Sequence, residues 1–358
     1  MTTLLESRYR TVLRLLPAYY RHEREEEMVE TYLWDVDPDT QDQSRPTLGE
    51  VASIAALAVR SRLGAPGAPR RYVLLGSTVR LFALFAVLVQ AAAAVADLVL
   101  ELGWAIGRGG PGQHLFLSQF TGRGLLNAVV TAAQWTLPLL WTVAYFALLH
   151  DRRRLARASA LLAALPTLWP LLGPLTGALV PADPTFATAF GLLAWLPALA
   201  LCAAHHRDAP PARLPAGTPG MVFMTACVVM GASIVALPAA ADLAWAPASC
   251  FVLGALGWLL WQARGGDGAT PGGALALAAL GLLILTVRVA ALYPWLHVPE
   301  VPAAYLGGGL AQTAALALLT VALAVVGRRG RVGGAPGAWC AGGPRGVGGS
   351  PGGPPARA

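Results

Sequence analysis

Residues 81–103 read LFALFAVLVQAAAAVADLVLELG. Twenty-three residues carry only three polar side chains, Gln90, Asp97 and Glu101. A bilayer core about 30 Å thick needs about 20 mainly apolar residues to be crossed by one helix. A transmembrane strand would instead alternate apolar and polar residues over about ten positions. Here the apolar run is continuous. Hydrocarbon offers no hydrogen-bond partners, so the backbone has to satisfy itself, and a helix does that within one segment. The stretch predicts a membrane-spanning helix.

The pattern returns along the chain. Apolar stretches at 81–103, 124–149, 158–180, 185–204, 219–241, 244–262, 272–293 and 303–326 are each long enough to cross. The composition agrees: 56% of the 358 residues are apolar and 13% are charged, whereas a soluble domain carries about 25% charged residues. The expected fold is all-α: a polytopic membrane helix bundle of about eight transmembrane helices, occupying 72–326, behind a small N-terminal three-helix cytoplasmic module. Residues 65–71, beginning Ala65-Pro66-Gly67-Ala68-Pro69, read as the linker between them. From Gly327 onward 12 of 32 residues are glycine, which predicts a disordered tail over 327–358.

All 26 basic residues are arginine. With the abundance of Ala, Gly and Pro, this points to a GC-rich genome of the actinobacterial kind. The arginines also orient the chain. When the segments between spans are assigned alternately to two sides, 22 arginines fall on the N-terminal side and only Arg108 and Arg123 on the other. Cytoplasmic loops carry the basic excess. The reading is therefore a multi-pass plasma-membrane protein with both termini cytoplasmic, anchored most firmly by Asp151-Arg152-Arg153-Arg154 and Arg157. The net charge of +7 is mostly this topology signal. No clustered basic face calls for nucleic acid. The first residues lack the apolar core and cleavage site of a signal peptide, so the first span is expected to remain.

Residues 1–64 have helical periodicity. Leu5, Tyr9, Val12, Leu13, Leu16 and Tyr20 repeat at helical spacing up to a break at Pro17. A second helix is expected over 21–34, with Glu25, Glu26, Glu27 and Glu30 toward water. Asp37-Pro38-Asp39 breaks it. Thr47-Leu48-Gly49-Glu50 has capping-box spacing, opening a third helix toward Leu63. Sixty residues make a marginal core, so the head is expected to lean on the membrane domain, a lipid surface or a partner.

Arg14-Leu15-Leu16-Pro17-Ala18-Tyr19-Tyr20-Arg21, followed by Glu23-Arg24-Glu25-Glu26-Glu27-Met28, resembles the HAAS signalling domain and the related permease prefix domains that accompany PadR-type transcriptional regulators. Arg45-Pro46-Thr47 at the third helix is similar too. The resemblance covers about the first 64 residues. It implies a cytoplasmic helical module with an interaction or signalling role and no chemistry of its own.

Ionisable residues inside spans are costly and mark functional positions by default. Arg288 lies well inside the seventh stretch. Asp97 and Glu101, four apart and on one face of the first, fall at the depth expected for Arg288. The three form a candidate intramembrane charge cluster, read either as a bundle-stabilising ion pair or as a ligand site; Arg288 snorkelling to the outer interface is the other structural reading. Pro166, Pro170 and Pro174, at spacings of four, form a candidate kink face in the third stretch.

The four cysteines (Cys202, Cys227, Cys250 and Cys340) include no CxxC pair and read as small apolar helix residues. Cys202-x-x-His205-His206 lacks the further ligands that structural zinc requires. No phosphate loop, HExxH or GxSxG motif occurs. The sequence therefore gives no catalytic, cofactor or metal site. Two functions follow: a non-enzymatic signalling or regulatory module that couples the bundle to a cytoplasmic protein partner through residues 1–64, or a small-molecule or ion transporter or permease subunit.

Overall fold

A computed structural model describes residues 4–34, 36, 45–65, 67–121, 124–168, 184–205, 217–236, 245–264, 270–297, 301 and 303–333. Every regular element among them is helical. Three helices form the N-terminal part: α1 Leu4–Leu13, α2 Ala18–Trp34 and α3 Leu48–Arg62. Their apolar faces meet in one cluster built on Tyr9, Leu13, Leu16, Val29, Ile54 and Ala58. Pro17 separates α1 from α2, and the Tyr9 and Tyr32 rings stack 3.9 Å apart. The Thr47–Glu50 capping box is present in both directions: the Glu50 N–H donates to Thr47 Oγ1, and the Thr47 N–H donates to the Glu50 carboxylate at 2.7 Å.

The long apolar elements follow. α4 runs Arg70–Gly107, α5 Gly109–Thr121, α6 Gly124–Thr136, α7 Leu140–Leu149 and α8 Arg153–Ala164. Pro184–Ala204 is α9, Gly217–Ala236 α10, Trp245–Ala263 α11, Pro271–Leu292 α12 and Ala303–Gly333 α13. Among the described residues five segments are long and apolar enough to cross a membrane: 70–107, 128–149, 246–263, 271–297 and 303–330. Two shorter apolar helices lie at 193–204 and 220–231.

The boundaries differ from the sequence reading in four places. α4 starts at Arg70, inside the expected linker and eleven residues before the hydropathy edge, because helix continues past the point where lipid would begin. α5 occupies what reads as an outer loop. Pro138 turns the second stretch into a short 3-10 segment at 137–139 between α6 and α7. α13 extends to Gly333, so its last turns lie in residues expected to be tail. The remainder of the tail, 334–358, lies outside the described residues.

Close glycine contacts fix the helix directions. Gly272, near the start of α12, faces Ser77 and Thr78, near the start of α4, so those helices run parallel. Gly327 of α13 meets Leu275, Gly330 meets Pro271 and Gly309 meets Leu292, so α13 runs back along α12. Gly231 of α10 lies against Ala96 and Leu100 of α4, and Gly220 against Tyr145 of α7. The arginine-rich places consequently gather at one end of the bundle: the start of α4, the α7–α8 turn, the end of α9 and the end of α13.

Candidate functional site

At that arginine-rich end the N-terminal helices dock on α4. Gly64 has φ +91° and Gly67 φ +80°, left-handed conformations that a side chain disfavours. They reverse the chain between α3 and α4. The two helices then approach so closely that a Cβ on Gly76 would stand 1.8 Å from the Leu63 carbonyl oxygen. Only glycine fits there. Tyr19, at the start of α2, reaches across: its hydroxyl donates to the Ser61 carbonyl at 2.7 Å, and its ring packs 5.3 Å from Tyr72 of α4. The head is thus pinned to the first long helix by a backbone contact and a shared tyrosine.

On the head's outer side, Arg10 donates to Glu6 at 3.0 Å and to Glu26 at 2.8 Å, with Glu25 3.6 Å away. The Arg10 hydrogen bond holds the Glu26 carboxyl below the usual range. Elsewhere on the head, Trp34 at the end of α2 and Leu48 at the start of α3 are 87% and 89% exposed.

The same bundle end carries a compact basic group. Asp151, with φ 55°, turns the chain between α7 and α8. Arg153 donates to Asp151 at 2.8 Å. Arg157 donates to the carbonyl of His205, which closes the C-terminus of α9; a cation there complements the helix dipole. His205 is 3% exposed. Burial lowers its pKa to about 4, helped by the nearby charges of Arg153, Arg80 and Arg157. A neutral imidazole is what this place tolerates. A cavity of about 200 Å³ opens near the same end between α4, α12 and α13, lined by Arg70, Arg71, Leu74, Pro271 and Gly330.

Within the bundle, Arg288 is 1% exposed and is the largest fully buried side chain. It points to α13: a Cβ on Gly309 would lie 3.1 Å from its Nη2, so the missing side chain of Gly309 makes room for the guanidinium. One turn further along α13, Gln312 donates to Ser249 Oγ of α11 at 2.7 Å. A polar seam therefore crosses α11, α12 and α13. Asp97 and Glu101 remain on α4, where neighbouring Ala96 and Leu100 pack on Gly231 of α10. Among the described residues no ion pair within 4.0 Å joins Arg288 to either carboxylate.

Of the proposed kink face, Pro166 is half-buried in a 3-10 turn, Leu165–Leu168, that ends α8. Pro170 and Pro174 lie outside the described residues. A different proline shows how a break is accommodated. Pro197 sits inside α9 and has no N–H for the carbonyl four residues back, Leu193. Gln90 of α4 supplies the missing donor, Nε2 to Leu193 O at 3.0 Å. In sequence, Gln90 is the odd polar residue of the opening stretch, and the proline it serves is 107 positions away. Among the described residues no group of three or more His, Cys, Asp and Glu side chains is arranged to hold a metal ion.

Compared with known protein families, with curated proteins and with solved structures, the chain matches none.

Proposed function

We propose that this chain is an eight-span plasma-membrane protein whose cytoplasmic N-terminal head couples the bundle to a protein partner, as a signalling or regulatory module without an enzymatic site. The contact between head and first span carries the reading. Gly76 against the Leu63 carbonyl, with Tyr19 bridging Ser61 and Tyr72, leaves little slack between α3 and α4. A load on the head is then felt by a helix that runs the length of the bundle. The exposed Trp34 and Leu48 supply an apolar contact for the partner, since large aromatic side chains anchor protein interfaces. The likeness to HAAS and permease prefix domains favours the same role. The arginine-rich end supports placing both termini in the cytoplasm.

Transport of a small molecule or ion is the second reading. The polar seam of Arg288, Gln312 and Ser249 favours it, because buried polar residues line paths through membranes.

Cross-linking in native membranes followed by affinity purification of the full chain tests the first reading. A protein should be recovered with the wild type and lost with a Trp34→Ala, Leu48→Ala double variant of unchanged membrane abundance. Equal recovery with both removes the head from the interaction.

A further inference from the structure

α10 and α11 bring three sulfur atoms into one row. Cys227 and Met230 stand three residues apart on α10, hence on one face. Cys250 faces them from the second turn of α11. The Cys227 side chain lies next to that of Cys250 in the same apolar cluster, and the Cys250 thiol donates to Met230 Sδ at 3.4 Å. Cys227 is fully buried and Cys250 is 6% exposed, both inside the larger apolar cluster with Met230 packed against it. Both cysteines are free thiols.

Thiols are weak donors and thioethers weak acceptors, so these contacts contribute little that apolar side chains of similar size would not. What three convergent sulfurs add is soft ligation. Thiolate and thioether ligands select Cu(I) among biological cations. Calcium and magnesium take oxygen, and structural zinc takes four ligands; no His, Asp or Glu joins the cysteines in a metal-holding group among the described residues.

We propose that Cys227, Met230 and Cys250 form a three-sulfur site for Cu(I) between α10 and α11. On binding, two metal–thiolate bonds form and the protons of both thiols leave to solvent. The Met230 thioether coordinates through a lone pair, and no electron is transferred. An ion about 2.3 Å from each sulfur, as in metal–thiolate sites, sets them about 4 Å apart. From 3.4 Å the Cys250–Met230 pair therefore opens by a fraction of an ångström, which the unbranched Met230 side chain allows. The site is independent of the head and of its partner.

The test titrates the full-length reduced protein, in detergent and without oxygen, with Cu(I) held by a coloured Cu(I) chelator. Wild type should withdraw about one ion per chain and release about two protons with it. Cys227→Ser and Cys250→Ser should each weaken uptake at least about tenfold, and Met230→Leu should weaken it as well. The Cys202→Ser, Cys340→Ser double variant should keep it. Uptake that follows Cys202 and Cys340, or wild type that leaves all copper on the chelator, overturns the site. Should a serine variant fail to fold, wild type alone decides.

Discussion

A single side chain decides how a broken helix survives inside this bundle. Pro197 leaves the Leu193 carbonyl without its helical donor, and Gln90 provides one from α4. An unsatisfied buried carbonyl costs about 1–3 kcal/mol, so Gln90→Leu should lower stability by about that amount. Pro197→Ala restores an N–H to the same carbonyl and makes Gln90 dispensable. Thermal unfolding of the four proteins in the cycle should therefore show Gln90→Leu costing less in the Pro197→Ala background, and equal costs would deny the link. Sequence reading finds the proline and cannot find its donor, because the pair is joined only by packing. Arg288 follows the same pattern. Its burial is legible from the apolar run around it, but the notch at Gly309 of α13 that makes room for its Nη2 is not, because a contact between two helices leaves no mark in either segment alone. His205 gives a pH prediction. Its folded pKa of about 4 lies below the ordinary 6.5, so the unfolded chain binds the proton first. The stability its burial contributes is complete above pH about 6.5, falls as the pH drops toward 4, and changes no further below that. Melting temperatures from pH 7.5 to 4 should decline less steeply for His205→Gln than for wild type. Parallel curves would mean that the imidazole protonates freely in the folded state.

Elements are where the sequence was most informative and where its errors have plain causes. The Thr47–Glu50 box reads directly because capping is local chemistry. The early start of α4 does not, because hydropathy marks where lipid begins and not where helix begins. Arg70, Arg71 and Arg80 conceal the first turns. α5 is hidden by Gly109-Gly110-Pro111-Gly112, which reads as a loop. Pro111 instead falls in the first turn of the helix, where a missing N–H costs nothing, and Phe116 and Phe120 fold back onto Trp135 of α6. The α3–α4 corner carries the mechanical prediction. At Gly76 a methyl group would enter the Leu63 carbonyl, and that obstacle is backbone rather than a flexible side-chain tip. Gly76→Ala should force α3 off α4, with a cost of about 1–3 kcal/mol for overpacking. Limited proteolysis of membranes should then cut the 63–69 segment faster than in wild type, while the bundle fragment keeps its size. Unchanged cleavage would show that the corner has room the geometry denies, and would weaken the coupling role proposed for the head.

Across the whole molecule, the end at which each helix starts constrains the topology. α4 starts at the arginine-rich end, and α9 finishes there, since His205 feels Arg80 and Arg157. α8 begins at that end as well, in the turn that follows Asp151. α8 leaves the arginine-rich end at Arg153 and α9 returns to it at His205; residues 169–183 between them lie outside the described set. The parallel pair α4 and α12, with α13 returning, fixes the parity of the second half. These directions fit the eight crossings proposed above, five of which are long apolar segments among the described residues, and the arginine excess argues that the shared end is cytoplasmic. Reporter fusions at about residues 112, 154, 210, 268, 298 and 335 should report outside at 112 and 298 and inside at the other four. Site 154 is decisive for orientation, because Arg152, Arg153 and Arg154 are the densest basic anchor in the chain; a reporter outside there inverts the molecule. Site 210 is decisive for the count. If the segment between α8 and α9 did not cross, 154 and 210 would lie on opposite sides, and the bundle would have to be redrawn with an odd number of spans before it.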